Sequence, residues 1–392
     1  MTTFARQSDT EKQHTPSTAA VTGPAKFSAA TPPSSLLTEP AAPAIRQRMT
    51  GFDLIRLLAA GLVIYGHSFS LAKEQPPGVL GNPIATIGVK MFFIISGYLI
   101  TRSWLSDPQP FRYARRRVLR ILPGLVCVIV LSMLVLGPTL SSLTVAQYLG
   151  QHATWFYSWN IAFYPVYTLP GVFAGNPYPD AINGSLWSLP SEVLMYIITP
   201  LVIGRVLHRG GLTLILFTII TTACGLYYVR VAPPATVPVV YGTSIIAFLD
   251  VAPYFQFGAV YAMFNLQRFA RPWVSVLLLA TAALGVGVMA DRVDSYVLSE
   301  FVLMLLLPFS VISIGNAQFS SLDKTLARTD ISYGLYLYGF PIQQIAMMLW
   351  GNRIGALGNF AIALPSTIVC AVLSWHFIER RALSLKPRTR PA

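Results

Sequence analysis

The stretch "FDLIRLLAAGLVIYGHSFSL" (residues 52–71) decides the fold class, because it is apolar and long enough to cross a bilayer once. Arg56 and His67 stand eleven positions apart, about three helical turns, so both project from one face about 16 Å apart along the axis. Asp53, three residues before Arg56, shares that face. Because charged groups are costly in hydrocarbon, the stripe predicts a polar path through a helix bundle. Histidine suits proton transfer near neutral pH, so His67 is the candidate general base.

A membrane-interface role is the alternative for the same three side chains. Asp53 and Arg56 would then form an ion pair at the level of the lipid headgroups. His67 would extend from the helix towards the interface.

The composition assigns the whole chain to the membrane class. Of 392 residues, 54% are hydrophobic and 11% are charged, whereas soluble domains carry about 25% charged residues. The stretches with the length and apolar character of a span are residues 52–71, 84–104, 117–137, 191–207, 212–230, 246–264, 272–290, 296–315, 331–350 and 357–377. The sequence predicts an all-α polytopic membrane protein with about ten transmembrane helices and a long aromatic outer loop near residues 138–190.

The distribution of charge argues against a nucleic-acid partner, although the formal net charge is +13. If the N-terminus is cytoplasmic, most Lys and Arg residues fall in cytoplasmic loops and tails. The outer loops then hold only Lys73, Arg230, Arg292 and Arg353. This asymmetry follows the positive-inside rule. It supports a multi-pass protein with an even number of spans and both termini in the cytoplasm.

The ends of the chain differ in composition from the apolar middle. Residues 1–48 are rich in Thr, Ser, Ala and Pro, which predicts a disordered cytoplasmic tail without the pattern of a signal peptide. Residues 49–382 form the predicted transmembrane domain, and residues 383–392 a basic cytoplasmic tail. No convincing internal repeat is visible. The three cysteines have neither metal-site nor disulfide spacing, so no metal site is predicted.

A basic loop, "FRYARRRVLRILP" (residues 111–123), begins the third predicted span. It carries Arg112, Arg115, Arg116, Arg117 and Arg120. Guanidinium groups beside a helix N-terminus suit a phosphorylated ligand. The alternative is ordinary positive-inside topology, with contacts to lipid phosphates.

The second predicted span, "GVKMFFIISGYLITRSW", places Lys90 in hydrocarbon, where it needs an acidic partner. Glu192 and Asp250 are the acids considered, and a structural ion pair is favoured over a substrate-binding role. The small pair Ser96-Gly97 is more typical of close helix packing than of chemistry.

Two further motifs bracket the outer half of the bundle. "NGSLWSLPSE" (residues 183–192) ends the aromatic loop, and Glu192 either gains from the helix dipole or binds a hydroxylated acceptor or orients a base. "ISYGLYLYGFPIQQ" (residues 331–344) spaces Tyr333 and Tyr336 along one span. These tyrosines can line a pocket or belong to an interfacial aromatic belt.

Taken together with "SWHFIER" near the C-terminus, these motifs closely resemble the integral-membrane acyltransferase type 3 family. That family modifies bacterial exopolysaccharides, O-antigens and nodulation factors. The likeness runs from about residue 50 to 380, in the family's order. It implies an enzyme of the bacterial inner membrane that transfers an acyl group, expected to be acetyl, from cytoplasmic acyl-CoA to a hydroxyl of a cell-surface polysaccharide or lipid-linked glycan precursor, with no permanently bound cofactor.

The resemblance also implies roles for particular residues. The family's essential Arg-x10-His motif falls on Arg56 and His67, and its tryptophan–glutamate motif on Trp187 and Glu192. The family's donor-linked basic loop falls on Arg115, Arg116 and Arg120. The remaining residues assigned to acceptor or substrate binding are Asn183, Tyr333, Tyr336 and Lys90. Many members carry a His after the ninth-span tyrosines, where this chain has Gly339, so no role passes to that position.

The expected chemistry is direct transfer, with His67 removing the acceptor hydroxyl proton as the oxygen attacks the thioester. Arg56 would position the donor, or Asp53 and Arg56 would seal the channel. An acyl-enzyme on His67 or Ser96 is the alternative route. Other functions left open are acylation of a macrolide or glycolipid, a non-catalytic glycan or acyl transporter, and a silent partner in polysaccharide assembly. The oligomeric state is not predicted.

Overall fold

The computed structural model describes residues 50–204, 210–231, 236–275, 277–278, 280–281, 295–317 and 329–386. The predicted N-terminal tail, residues 1–48, lies outside the described residues, as do residues 387–392 of the predicted C-terminal tail. Within the described part the long helices are α1 (Thr50–Leu71), α2 (Ile84–Ser106), α3 (Pro110–Leu131), α4 (Ser188–Gly204), α5 (Gly210–Gly225), α6 (Ile245–Met263), α7 (Ser295–Gly315), α8 (Ser332–Trp350) and α9 (Gly355–Ser374).

Three of these helices continue beyond the bounds just given through a π-helical turn. The π turn Ser132–Leu136 and the short helix Gly137–Leu140 extend α3. Leu226–Val231 extends α5. Trp375–Glu379 and then Arg380–Ser384 extend α9. π-Helical segments are rare and occur mostly as single turns inside α-helices, where they shift the helix face that follows them.

Eight helices in the described part are long and apolar enough to cross a membrane, which confirms the all-α polytopic class. Helix α8, at the predicted span 331–350, is 19 residues long but is not among the eight. Its tyrosines and adjacent glutamines lower its mean hydropathy, and most of its side chains are buried against other helices. The predicted span 272–290 lies mostly outside the described residues.

The structure contains an internal repeat, which corrects the sequence analysis. A two-stranded hairpin, β1 (Gly78–Val79) and β2 (Asn82–Pro83), leads directly into α2. A second hairpin, β3 (Val239–Val240) and β4 (Thr243–Ser244), leads in the same way into α6. The two units share few identical residues, Gly81 with Gly242 and Gly97 with Gly258 among them, so the repeat is clearer in the backbone geometry than in the sequence.

Both hairpins turn through two residues with positive φ. These residues are Leu80 (52°) with Gly81 (71°), and Tyr241 (50°) with Gly242 (67°). Positive φ at both central positions is the signature of a type I′ turn, whose twist matches that of the strands. The two hairpin–helix units therefore begin with the same backbone conformation.

Helices α2 and α6 cross at equivalent glycines. Gly97 is the fourteenth residue of α2, and Gly258 is the fourteenth of α6. A Cβ on Gly97 would lie 1.8 Å from the carbonyl oxygen of Phe255, and a Cβ on Gly258 would lie 2.2 Å from that of Ile94. Small residues allow such close approach of membrane helices. The crossing sets the position of the inner face of α2, which lines the site described below.

The aromatic loop after α3 is ordered, as its composition predicts. It contains the short helices Val145–Gly150 and His152–Phe156 and the 3₁₀ turns Tyr157–Ala162 and Gly184–Trp187. Gln344 on α8 donates hydrogen bonds to the carbonyl oxygens of Tyr178 (2.9 Å) and Ala181 (2.7 Å). Asn176 donates to the side chain of Gln344 at 2.8 Å. The buried amide of Gln344 therefore fixes this loop to the bundle and is not available to line a pocket.

Candidate active site

A narrow cavity of about 100 Å³ lies between α1, α2, α3, α4 and α8. Its walls are mainly aliphatic and aromatic. Its polar lining residues are Arg56, Ser96, Arg117, Arg120, Ser188, Glu192, Tyr196, Ser332, Tyr333 and Tyr336. The cavity therefore brings together predicted residues from four separate motifs: the α1 stripe, the basic loop, the Trp–Glu motif and the tyrosine motif at residues 331–344.

The arginines at one end of this cavity share an acid that the sequence analysis missed. Asp330, just before α8, accepts a hydrogen bond from Arg120 at 2.8 Å and lies 3.7 Å from the guanidinium of Arg56. Arg56 also contacts Asp53 at 3.4 Å, as the stripe predicts. A carboxylate directly ahead of a helix start is a capping signal that could have drawn attention to Asp330. It holds two of the predicted functional arginines in place.

A second acid holds the first turns of α3. Arg112 donates to Asp107 at 2.7 Å, and Arg116 makes a short contact with the same carboxylate. Burial acts to raise the pKa of Asp107, but the hydrogen bonds and charges of Arg116 and Arg112 outweigh it and hold the pKa below its usual range. These two guanidiniums are thus committed to the turn between α2 and α3.

Arg117 differs from its neighbours in the basic loop. It lines the cavity, and no acidic partner is found for it among the residues that the structure describes. Its polar contact is the Ser103 hydroxyl at 3.4 Å, and its guanidinium lies 5.8 Å from the centre of the Tyr113 ring. Arg115 is exposed. Of the five predicted donor-binding arginines, Arg117 and Arg120 reach the cavity.

The middle of the cavity holds a hydroxyl–carboxylate pair. Ser96 on α2 donates a hydrogen bond to Glu192 on α4 at 2.7 Å. Tyr196, one turn further along α4, makes a short hydrogen bond to the same carboxylate oxygen. Glu192 is therefore not a free helix-dipole carboxylate but a shared acceptor inside the cavity.

The opposite end of the cavity is closed by Tyr336. Its hydroxyl shares a hydrogen bond of 2.7 Å with Ser188 and makes a short one to the carbonyl of Ser185. Asn183, predicted to bind the acceptor, is buried, and its amide is occupied by the carbonyl of Leu337 (2.8 Å) and the backbone N–H of Ser185 (3.2 Å). The structure therefore places Asn183 in the framework of this end.

Two more predicted binding residues lie near the cavity wall. Trp187 is half-buried and packs against the apolar core. Tyr333 lines the cavity, but its hydroxyl donates to the carbonyl of Ile121 at 2.9 Å, and the Arg120 guanidinium lies 5.8 Å from its ring centre. Tyr333 thus supports Arg120, while its acceptor-binding role stays a prediction.

His67 does not line the cavity. It lies on α1 beyond the closed end, with its ring edge-on to Phe340 at a centroid distance of 5.3 Å. Phe340 is one turn along α8 from Tyr336. In the described part of the chain no hydrogen bond is found for the His67 side chain. The structure thus confirms that Arg56 and His67 share one helix, but of the two only Arg56 lines the cavity.

Gly339 lies where α8 approaches α1 most closely. A Cβ at this position would lie 2.9 Å from the side chain of Ile64. A larger residue here would require the Ile64 side chain to move.

The partner of Lys90 corrects the sequence analysis. Lys90 is fully buried and bonds to Glu300 on α7 at 2.7 Å, with Asp250 on α6 at 3.1 Å. Asn82 accepts a further hydrogen bond from it at 2.8 Å. Of the two acids that the sequence predicts as partners, Asp250 is confirmed, whereas Glu192 bonds to Ser96 instead. Glu300 is a partner that the sequence analysis missed. The favoured structural ion pair is confirmed, and its geometry leaves Lys90 no contact with the cavity.

Comparison with known proteins adds to this geometry. An acyltransferase domain model matches residues 49–376 of the chain. The O-acetyl transferase of Shigella phage Sf6 is 29% identical over 351 residues, 85% of this chain and 96% of that protein. Nodulation protein 10 of Rhizobium leguminosarum bv. viciae is 25% identical over 362 residues, 86% of this chain and 93% of that protein.

A longer relative is also similar over most of this chain. The O-acetyltransferase OatA of Staphylococcus aureus is 23% identical over 379 residues, 84% of this chain but 56% of that protein. No solved structure matches the chain. Because the domain model covers most of the sequence and the fold is a bundle of apolar helices, the chain belongs to the membrane acyltransferase type 3 family and is an O-acetyltransferase.

Proposed function

We propose that the chain transfers an acetyl group from cytoplasmic acetyl-CoA to a hydroxyl of a cell-surface polysaccharide or its lipid-linked precursor, in the bacterial inner membrane with both termini cytoplasmic. The observation that carries this proposal is the cavity itself. Arg56, Arg117 and Arg120 stand at one end, and the Ser96–Glu192 pair lies further in. A thin ligand with anionic groups at one end and a reactive group at the other suits this shape.

The cationic end would hold the donor phosphates. Guanidinium groups bind phosphate oxygens through paired N–H donors. Arg117 contributes uncompensated charge, whereas Arg120 and Arg56 are oriented by Asp330. The pantetheine arm would then extend along the cavity and bring the thioester to the level of Glu192.

His67 would act from the other side of the wall. The acceptor hydroxyl enters at the outer end, where His67 removes its proton as the oxygen attacks the acyl carbon. The bond from that carbon to its leaving group breaks. Once the ester has formed, His67 gives the proton to the leaving group. Because His67 does not line the cavity, the acceptor oxygen has to reach both the acyl carbon in the cavity and the His67 ring outside its lining.

Acetyl-CoA turnover tests the proposal. Purified protein in lipid nanodiscs should release free CoA, and His67→Ala should lower that release about 100-fold or more, because a positioned general base contributes about that much. His152→Ala, an exposed histidine in the outer loop, is the matched control and should behave as wild type. Equal release by wild type and His67→Ala would contradict the role of His67. A transporter would release no CoA at all.

Arg117 and Arg116 should respond differently to truncation. Arg117→Ala should raise the KM for acetyl-CoA about 10-fold with little change in melting temperature, since a hydrogen bond to a charged group contributes about 1.5–3 kcal/mol. Arg116→Ala should chiefly lower the melting temperature, because Asp107 loses a buried partner. Arg380→Ala, exposed at the end of α9, is the control for lost positive charge. Equal effects on KM from all three would show that only net charge matters.

A further inference from the structure

Two hydroxyls that line the cavity bond to a carboxylate: Ser332 bonds to Asp330, two residues before it, whereas Ser96 bonds to a carboxylate on another helix. Its Oγ lies 2.7 Å from Glu192, which also accepts from Tyr196. Buried helical serines commonly bond to a carbonyl oxygen of the preceding turn of their own helix. Ser96 instead bonds to a carboxylate on another helix, so its hydroxyl is oriented across the cavity.

Helix packing explains the residue after Ser96 but not Ser96 itself. Gly97 is required because its Cα lies against the backbone of α6 at Phe255. Ser96 points about 100° away from that contact, towards the cavity. An alanine would satisfy packing there equally well, whereas the hydroxyl gives the cavity a nucleophile beside a base.

We propose that Ser96 accepts the acyl group from acyl-CoA and carries it as an ester, with Glu192 as the base that activates its hydroxyl. This inference rests on the proposed acyltransferase function. Hydroxyl nucleophiles are activated by an adjacent proton acceptor within hydrogen-bond reach. The Tyr196 hydrogen bond orients the Glu192 carboxylate, and Arg117 supplies positive charge at the same cavity, where charge develops on the thioester oxygen.

The chemistry balances without any further reactant. The Ser96 oxygen attacks the thioester carbonyl carbon while its proton passes to Glu192. The carbon–sulfur bond breaks, and the CoA thiolate takes the proton from Glu192 and leaves as the thiol. In the second half, the acceptor oxygen attacks the ester carbonyl and gives its proton to His67. The Ser96 oxygen departs and takes up the proton that His67 removed from the acceptor, which restores both residues.

The size of the cavity favours two separate half-reactions. At about 100 Å³ it is smaller than the roughly 300–1,000 Å³ of ordinary small-molecule pockets. A thioester arm and a sugar would not occupy it together. A covalent intermediate lets CoA depart before the acceptor enters.

Acyl-enzyme trapping tests the proposal. Wild type incubated with radiolabelled acetyl-CoA, without acceptor, should incorporate about one acetyl group per protein molecule. Peptide mass mapping should locate this group on the peptide that contains Ser96. Ser96→Ala should lose this label and lower turnover about 100-fold or more. Ser96→Cys should instead carry a thioester that hydroxylamine cleaves at neutral pH, a signature that a purely structural role would not produce. Glu192→Gln should slow labelling without moving its position.

The matched control is Ser366→Ala. Ser366 is exposed on α9 and bonds only to the carbonyl of Ile362 in its own helix, so its loss should leave labelling and turnover unchanged. If wild type releases CoA in a His67-dependent manner but no label appears and Ser96→Ala keeps its rate, the Ser96 proposal is wrong while the acyltransferase proposal stands. Absence of CoA release from wild type under all conditions would overturn both. If Ser96→Ala does not fold, the wild-type label and the Ser96→Cys thioester still decide.

Discussion

Gly97→Ala is expected to remove most of the folded protein. The added Cβ would lie 1.8 Å from the Phe255 carbonyl oxygen and 2.7 Å from its carbonyl carbon, so the obstruction is backbone and not a flexible side chain. The helices α2 and α6 can relieve it only by separating along a long contact. Overpacking costs about 1–3 kcal/mol where side chains can adjust, and a backbone clash should exceed that. We expect a steep loss of monodisperse protein on size-exclusion chromatography in detergent.

Gly61→Ala is the matched control for this substitution. Gly61 lies within α1, and no atom lies within 4 Å of the position that its Cβ would take. Alanine is favoured over glycine in a helix interior by about 1 kcal/mol, so this variant should be at least as stable as wild type. If Gly97→Ala and Gly61→Ala yielded equal amounts of folded protein, the crossing of α2 and α6 would not have the close packing described above.

Lys90→Met is expected to cost about 3–5 kcal/mol of stability, the range for breaking a buried ion pair by removing one partner. Lys90 is fully buried, and Glu300 beside it is 2% exposed. Without the ammonium group, Glu300 and Asp250 would be left as two neighbouring acids at the junction of α2, α6 and α7. Thermal melting of the detergent-solubilised protein should show a fall of many degrees.

A second substitution should restore part of that loss. In Lys90→Met combined with Glu300→Gln, the unpaired charge at Glu300 is gone, and a double-mutant cycle should return a favourable coupling of about 0.5–3 kcal/mol. Lys73→Met, an exposed lysine after α1, controls for the loss of one positive charge and should melt as wild type. Additive effects of the two cluster substitutions would contradict a direct ion pair.

These two predictions differ in how far the sequence could have supported them. The pair Ser96-Gly97 predicts close packing from residue size alone, and the structure confirms it for Gly97. Lys90 predicts a buried acid from its position in hydrocarbon, but Glu300 is 210 positions away. The local sequence shows that Lys90 must have an acidic partner. Only the packing of α2 against α7 shows that this acid is Glu300.

The sequence by itself determined the membrane class, most of the helical spans and the placement of Arg56 and His67 on one helix. These properties depend on local hydropathy, on charge and on the 3.6-residue helical period. The family resemblance also required nothing beyond the order of short motifs along the chain.

Only the tertiary structure decided how those residues are used. Ser96 meets Glu192 across 96 positions, and Arg120 meets Asp330 across 210. Such contacts distinguish the arginines that are paired with acids from Arg117. Arg117 lines the cavity and has no acidic partner in the described part of the chain. The tertiary structure also leaves His67 outside the lining of the cavity. Side-chain partners so distant in sequence are set by how helices cross, and helix crossing depends on close backbone contacts that no short motif encodes.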